Sequence, residues 1–157
     1  MTKTITRTIR GKADSDSLIS LISNTSEYPY TVKITKGEEK RSSQQNRLQF
    51  QWFKDAEAQG DLRSDEYRAY CKLMFGCKIL YHEDEEFREA YNRVLRGLTY
   101  EQQLSCMVPP LDLPVTSRMS VKQKTRYLDM VWQHLTGLGI QLTDPSMLGI
   151  DNWKEAQ

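Results

Sequence analysis

Long apolar runs are missing from this sequence, and no segment approaches the roughly 20 residues needed to cross a bilayer. That excludes a helical membrane span, and no membrane partner is expected. The opening MTKTITRTIR carries charges and threonines but no apolar stretch, so no secretory signal is expected there and the cytoplasm is the expected location. Cysteine is scarce. The three present, Cys71, Cys77 and Cys106, are odd in number and include no C-x-x-C pair, so reduced, buried thiols are expected rather than a disulfide framework. The two histidines, His82 and His134, stand at no ligand-like spacing from the cysteines, which argues against a zinc site. P-loop, G-x-S-x-G, H-E-x-x-H and Rossmann glycine patterns are also missing, as are internal repeats and low-complexity segments. No cofactor, metal or catalytic activity is expected from these absences.

What remains is an ordinary globular balance: 157 residues, 38% hydrophobic and 27% charged. The length fits one domain with one core. Net charge is only +1, but its distribution is uneven. Residues 1–54 hold 10 Lys/Arg against 5 Asp/Glu, residues 55–101 hold 7 against 11, and residues 102–157 hold 5 of each. A cationic front beside an acidic middle implies a surface of two signs, one side suited to phosphates.

Periodicity predicts an α+β fold, a small N-terminal β-α-β unit followed by a mostly helical region. Thr4 to Ile9 alternates as a strand, as does Tyr30 to Thr35, with Tyr30, Val32 and Ile34 inward. Between them Asp14 or Ser15 can cap a short helix carrying Leu18, Ile19, Leu21 and Ile22, long enough for a crossover between parallel strands. Residues 1–37 form this unit within the single domain, and 38–108 are helical. One helix should start near Ser43 and stop at Gly60, and a second should run from the cap Ser64 to Gly76. A third is expected from about Glu83 to Arg96, and a fourth behind the T-x-x-Q box of Thr99 and Gln102. Residues 109–119, with Pro109, Pro110 and Pro114, read as a stiff linker. Residues 120–157 read as a helix capped by Ser120 and Gln123, with Val121, Leu128, Val131, Trp132 and Leu135 on one stripe, then a mostly irregular tail with at most a last turn at Trp153.

Two segments carry cations at helix starts. In KRSSQQNRLQFQWFK, Lys40 and Arg41 precede the helix, Arg47 lies one turn in, and Arg47, Gln51 and Lys54 lie opposite the face of Leu48, Trp52 and Ala56. A helix N-terminus favours anions, so this is a candidate phosphate seat. The alternative is equally simple: Ser42 and Gln45 have capping-box spacing, and Arg47 is then a solvated surface charge. Trp52 on the apolar stripe reads as core, with base stacking as the alternative. The second segment, TSRMSVKQKTRYLDM, has Arg118 before a capped helix and Lys122 and Arg126 one turn apart, away from Val121, Leu128 and Leu135, while Lys124 points nearer the apolar stripe. The acidic run HEDEE at 82–86 could in principle hold magnesium. Its place in a first helical turn, and the lack of a completing acidic group, favour stabilisation of the helix dipole instead.

The run Arg41-Ser42-Ser43-Gln44-Gln45-Asn46-Arg47, followed by Trp52, resembles the R-S-x-x-Q-N-R…W motif of the phage NinB/Orf family of recombination mediator proteins. Thr116-Ser117-Arg118-Met119, followed by an amphipathic helix and then Gly139 and Leu142-Thr143-Asp144, is similar to that family's T-S-R-M segment. The similarity covers about residues 36–75 and 114–145, in the family's order; the middle, 77–113, is longer and more acidic than the family pattern. The resemblance implies a non-enzymatic mediator of homologous recombination, encoded by a phage or prophage. It would bind single-stranded DNA in preference to duplex, cooperate with the host single-strand-binding protein and act as a homodimer in the bacterial cytoplasm. DNA contacts would then fall on Lys40, Arg41, Gln45, Asn46, Arg47, Lys54, Arg118, Lys122 and Arg126. A protein-binding adaptor, using the acidic middle, the Pro-rich stretch and a tail bearing Trp153, is the competing expectation. A magnesium-dependent nuclease built on the acidic run is the third.

Overall fold

A computed structural model describes residues 5–37 and 40–154. The chain groups into two units, Met1–Lys40 and Arg41–Gln157.

The first unit corrects the α+β expectation, because no strand occurs among the described residues. Residues 5–10 and 30–35 are irregular, and Thr4 lies outside the described residues. The alternating pattern is real, but nothing covers either face. Ile5, Ile9, Tyr30 and Val32 are 43–49% exposed and Ile34 is 85% exposed. Strand pairing holds only where an apolar face is buried. The helix between them, α1 (Lys12–Ser23), buries no residue either. It starts one turn earlier than expected, with Gly11 at the N-cap. Asp14 sits inside the first turn, where its carboxylate accepts the Arg10 N–H at 2.9 Å.

The second unit is built from helices around two apolar clusters. Helix α2 (Arg41–Gln59) carries Leu48, Trp52, Phe53 and Ala56 on one stripe, all 2% exposed or less. It ends at Gly60 as its sequence predicts. Helix α3 (Ser64–Cys71) begins after Arg63, whose N–H is taken by the Glu66 carboxylate at 2.8 Å. The chain does not stop at Gly76. It continues through a π-helical turn (Lys72–Gly76) into α4 (Cys77–Glu83). Gly76 has ordinary helical dihedrals, and a Cβ there would lie 2.8 Å from Val115 Cγ1. The glycine serves close packing between segments rather than helix termination. Asp84 caps α5 (Glu85–Ala90), accepting the Phe87 N–H at 3.0 Å, and a second π-helical turn, Tyr91–Leu95, follows.

The capping boxes read from the sequence form at both places. Thr99 and Gln102 open α6 (Tyr100–Cys106), and Ser120 and Gln123 open α7 (Val121–Gly137). Helix α7 buries Tyr127, Leu128, Val131 and Leu135 against α2. Trp132 departs from the expected stripe and is 49% exposed. The Pro-rich stretch is anchored rather than a free linker. Lys72, 1% exposed, donates to Asp112 at 2.6 Å and to the Met107 carbonyl at 3.1 Å, and Val115 is buried in the second cluster. The tail folds back onto the first cluster. Ile140, Ile150 and Trp153 are buried there, and Trp153 meets Trp52 edge-to-face at 5.6 Å. Trp52 is therefore core, and its indole N–H donates to the Thr143 carbonyl at 3.0 Å.

Candidate nucleic-acid interface

The two motifs, far apart in the chain, meet at one place. The first turns of α2 face the first turn of α7 and the 3-10 turn Thr116–Arg118. Between them lies a cleft of about 120 Å³, lined by Ser42, Asn46, Thr116, Ser117, Ser120 and Lys124, with Gln45 and Met119 beside them.

Gln45 holds this arrangement together. It is 1% exposed, and its Nε2 donates to the Val121 carbonyl (3.2 Å), to Thr125 Oγ1 (2.8 Å) and to the Trp153 carbonyl (3.1 Å). This corrects the capping-box reading of Ser42 and Gln45: α2 already begins at Arg41, and Gln45 ties α2 to α7 and to the tail. Next to it, Lys124 is 6% exposed and donates from Nζ to Asn46 Oδ1 at 2.7 Å. Burial pulls its ammonium pKa down to about 8, and the nearby Arg68 charge adds to the effect. No carboxylate pairs with Lys124 among the described residues, and none lines the cleft. A cation set under a rim of hydroxyls, between two helix starts, favours an anion of phosphate size.

The cations read from the sequence are distributed differently. Arg41 is half-buried at the first position of α2. Arg47 is half-buried and donates to the Leu148 carbonyl at 3.1 Å, so it braces the tail. Lys54 is exposed, with Nζ 4.6 Å from the Phe50 ring centroid. Lys122 is exposed on the first turn of α7. Lys40 is exposed and belongs to the first unit. Of the nine expected contacts, only Gln45 and Asn46 line the cleft itself.

Arg118 and Arg126 are engaged by the acidic run. Arg118 meets Asp84 at 3.0 Å and Glu86 at 3.4 Å, and Arg126 meets Glu83 at 2.6 Å. The Arg126 hydrogen bond holds the Glu83 carboxyl below the usual range. Asp84 is held down first by the Phe87 N–H and then by Arg118. Three acids of the run, Glu83, Asp84 and Glu86, are thus paired with arginines, and no cluster of three or more potential metal ligands occurs among the described residues.

Lys124, Ser42, Thr116, Ser117 and Ser120 were not among the expected contacts. A signal for Lys124 exists in the sequence: it stands at i, i+4, i+7 and i+11 with Leu128, Val131 and Leu135, so a charge sits on the core stripe. His134 stacks on Tyr70 at 4.7 Å, with burial lowering its pKa, which fits a packing role. No helix among the described residues is long and apolar enough to cross a membrane. No family model, curated protein or solved structure matches the chain.

Proposed function

We propose that this protein binds single-stranded DNA through its sugar-phosphate backbone, with a phosphate seated in the cleft over Lys124. In this reading it is a recombination mediator of the NinB/Orf type. It works as a homodimer beside the host single-strand-binding protein and has no catalytic step of its own. The observation that supports the reading is a buried ammonium without a carboxylate partner among the described residues, at the point where the 41–47 and 116–119 segments converge. Such a charge is costly to bury and is offset when an anion arrives. Ser42, Ser117 and Thr116 offer hydroxyls at the rim, and exposed Lys54 and Lys122 add sequence-independent attraction along the approaches. The adaptor alternative loses its tail element, because Trp153 is 7% exposed and packed in the core.

A fluorescence anisotropy titration of a labelled single strand and the matching duplex tests this, at about 50 and about 200 mM salt. The expected result is tighter binding of the single strand, with affinity falling steeply as salt rises. Equal affinity for both forms, or affinity indifferent to salt, would refute it. Static light scattering tests the dimer: twice the chain mass of 18.3 kDa is expected.

A further inference from the structure

Beyond the cleft, the outer ridge of α2 carries a second set of groups. Ser42, Asn46, Phe50 and Lys54 follow at four-residue spacing, so they lie along one face, each about 6 Å further along the axis than the last. Ser42 and Asn46 line the cleft. Phe50 and Lys54 line a smaller pocket of about 40 Å³, together with Gln49, Phe53, Arg68 and, at the start of α3, Ser64 and Asp65.

Phe50 is 65% exposed, even with the Lys54 ammonium 4.6 Å from its ring centroid. Its neighbours Leu48, Trp52 and Phe53 are all at 2% or less, so Phe50 is the large apolar side chain of α2 that the core does not use. Beside it, Gln49 is 8% exposed, and its side-chain Oε1 accepts no hydrogen bond among the described residues. Arg68, on the far side of the pocket, is paired with Asp112 at 2.9 Å. An open aromatic face, a buried amide with unused acceptor capacity and a cation in contact with the ring are the parts of a base-and-phosphate subsite.

We propose that Phe50 is a nucleobase-stacking platform, with Gln49 in the pocket wall beside it and Lys54 meeting the adjoining phosphate. The inference rests on the reading of the cleft as a backbone phosphate seat. A strand whose phosphate sits beside Asn46 passes Phe50 one helical turn further on, within the reach of a single nucleotide. Every base has a π-face, so the subsite tolerates any sequence while distinguishing a base-bearing strand from a bare backbone. Paired bases in a duplex are stacked on their own neighbours and cannot offer that face, which gives a physical origin for preference for single strands.

The test compares oligothymidylate with an abasic oligonucleotide of the same length, and so of the same phosphate count. Both are titrated by anisotropy against the wild-type chain, Phe50→Ala and Phe50→Trp. Phe50→Ala is expected to weaken oligothymidylate binding about tenfold and to leave the abasic strand unchanged, while Phe50→Trp restores or exceeds wild-type affinity. Equal loss on both strands, or no loss on oligothymidylate, overturns the stacking platform. If the wild type binds both strands in a salt-sensitive way and Phe50→Ala matches it, the platform alone fails. If the wild type binds neither strand, the phosphate seat fails with it. Because Phe50 lies outside both core clusters, each variant is expected to melt as the wild type does.

Discussion

Lys124 makes a prediction with two opposite signs. Its pKa is about 8 in the folded chain, against about 10.4 for an unfolded lysine. Between those values the unfolded state binds more protons, so stability must rise with pH across this window. The gap corresponds to a penalty on the order of 3 kcal/mol at neutral pH, relieved as the pH climbs from about 8 to about 10. Anion binding runs the other way. About nine-tenths of Lys124 is charged at pH 7 and only a few per cent at pH 9.5, so single-strand affinity should fall over the same range. Other groups oppose the stability trend. Burial pushes the Cys71 and Cys77 thiols up to about 12, and the unfolded chain releases those protons above about 8.5, which costs stability as pH rises. The comparison is therefore Lys124→Met against wild type, since both carry the cysteines. Urea unfolding at pH 7 and 9.5 should show the variant gaining relative to wild type at pH 7, by about 1–3 kcal/mol more than at pH 9.5. DNA affinity of the variant should be low and nearly flat with pH, while that of the wild type should decline. A stability gap unchanged between the two pH values would sink the account of Lys124 as a desolvated ammonium.

Two further outcomes follow from the geometry. Glu83→Gln with Asp84→Asn should release Arg126 and most of the hold on Arg118, while the asparagine side chain would still cap α5; the log–log salt slope for single strands should steepen by about 0.7 per freed arginine. These pairs are solvent-screened surface pairs, so little stability should be lost with them, and an unchanged slope would mean the arginines never reach phosphate. Gly76→Ala should destabilise by about 1–3 kcal/mol in urea unfolding despite the better helix propensity of alanine, because its Cβ meets Val115 Cγ1 at 2.8 Å. A neutral or stabilised variant would return Gly76 to the role of a simple helix residue.

Features that depend on neighbours in the chain were legible in the sequence; those that depend on distant partners were not. The caps at Thr99 and Ser120 and the end of α2 at Gly60 each rest on contacts within a few residues, and all form as read; the core stripe of α7 forms apart from Trp132. The alternation at Ile5–Ile9 and Tyr30–Ile34 is also local, but a strand needs a partner and a covered face, and neither exists among the described residues. Gly76 looked like a stop because sequence shows the missing side chain but not Val115, far along the chain, that requires it to be missing. Ser42 and Gln45 have the spacing of a capping box, while the groups Gln45 actually binds lie at 121, 125 and 153. The acidic run was half legible. Its capping role is local to Asp84, but its arginine partners come from α7 and the turn before it.

The same fold contains a control for the meaning of Lys124. Lys72 is equally withdrawn from solvent, at 1% exposed, and has a carboxylate, Asp112, at 2.6 Å and a carbonyl at 3.1 Å. Burial still lowers its pKa, but the Asp112 hydrogen bond opposes that shift from within, and the pair fastens the Pro-rich stretch to the helices. Lys124, at 6% exposed, has among the described residues the neutral amide oxygen of Asn46 and no carboxylate. A buried charge answered by a dipole alone is destabilising unless something else neutralises it. If Lys124 served the core, methionine would fill the same stripe beside Leu128 at lower cost, as the pH comparison above measures directly. What distinguishes the two lysines is access. Lys72 lies beneath the loop that its partner Asp112 occupies, whereas Lys124 lines an open cleft with hydroxyls around it. On the proposed reading an anion supplied from outside would match Lys124 through that open cleft, and a flexible single strand would carry further phosphates from there along α2 towards Phe50.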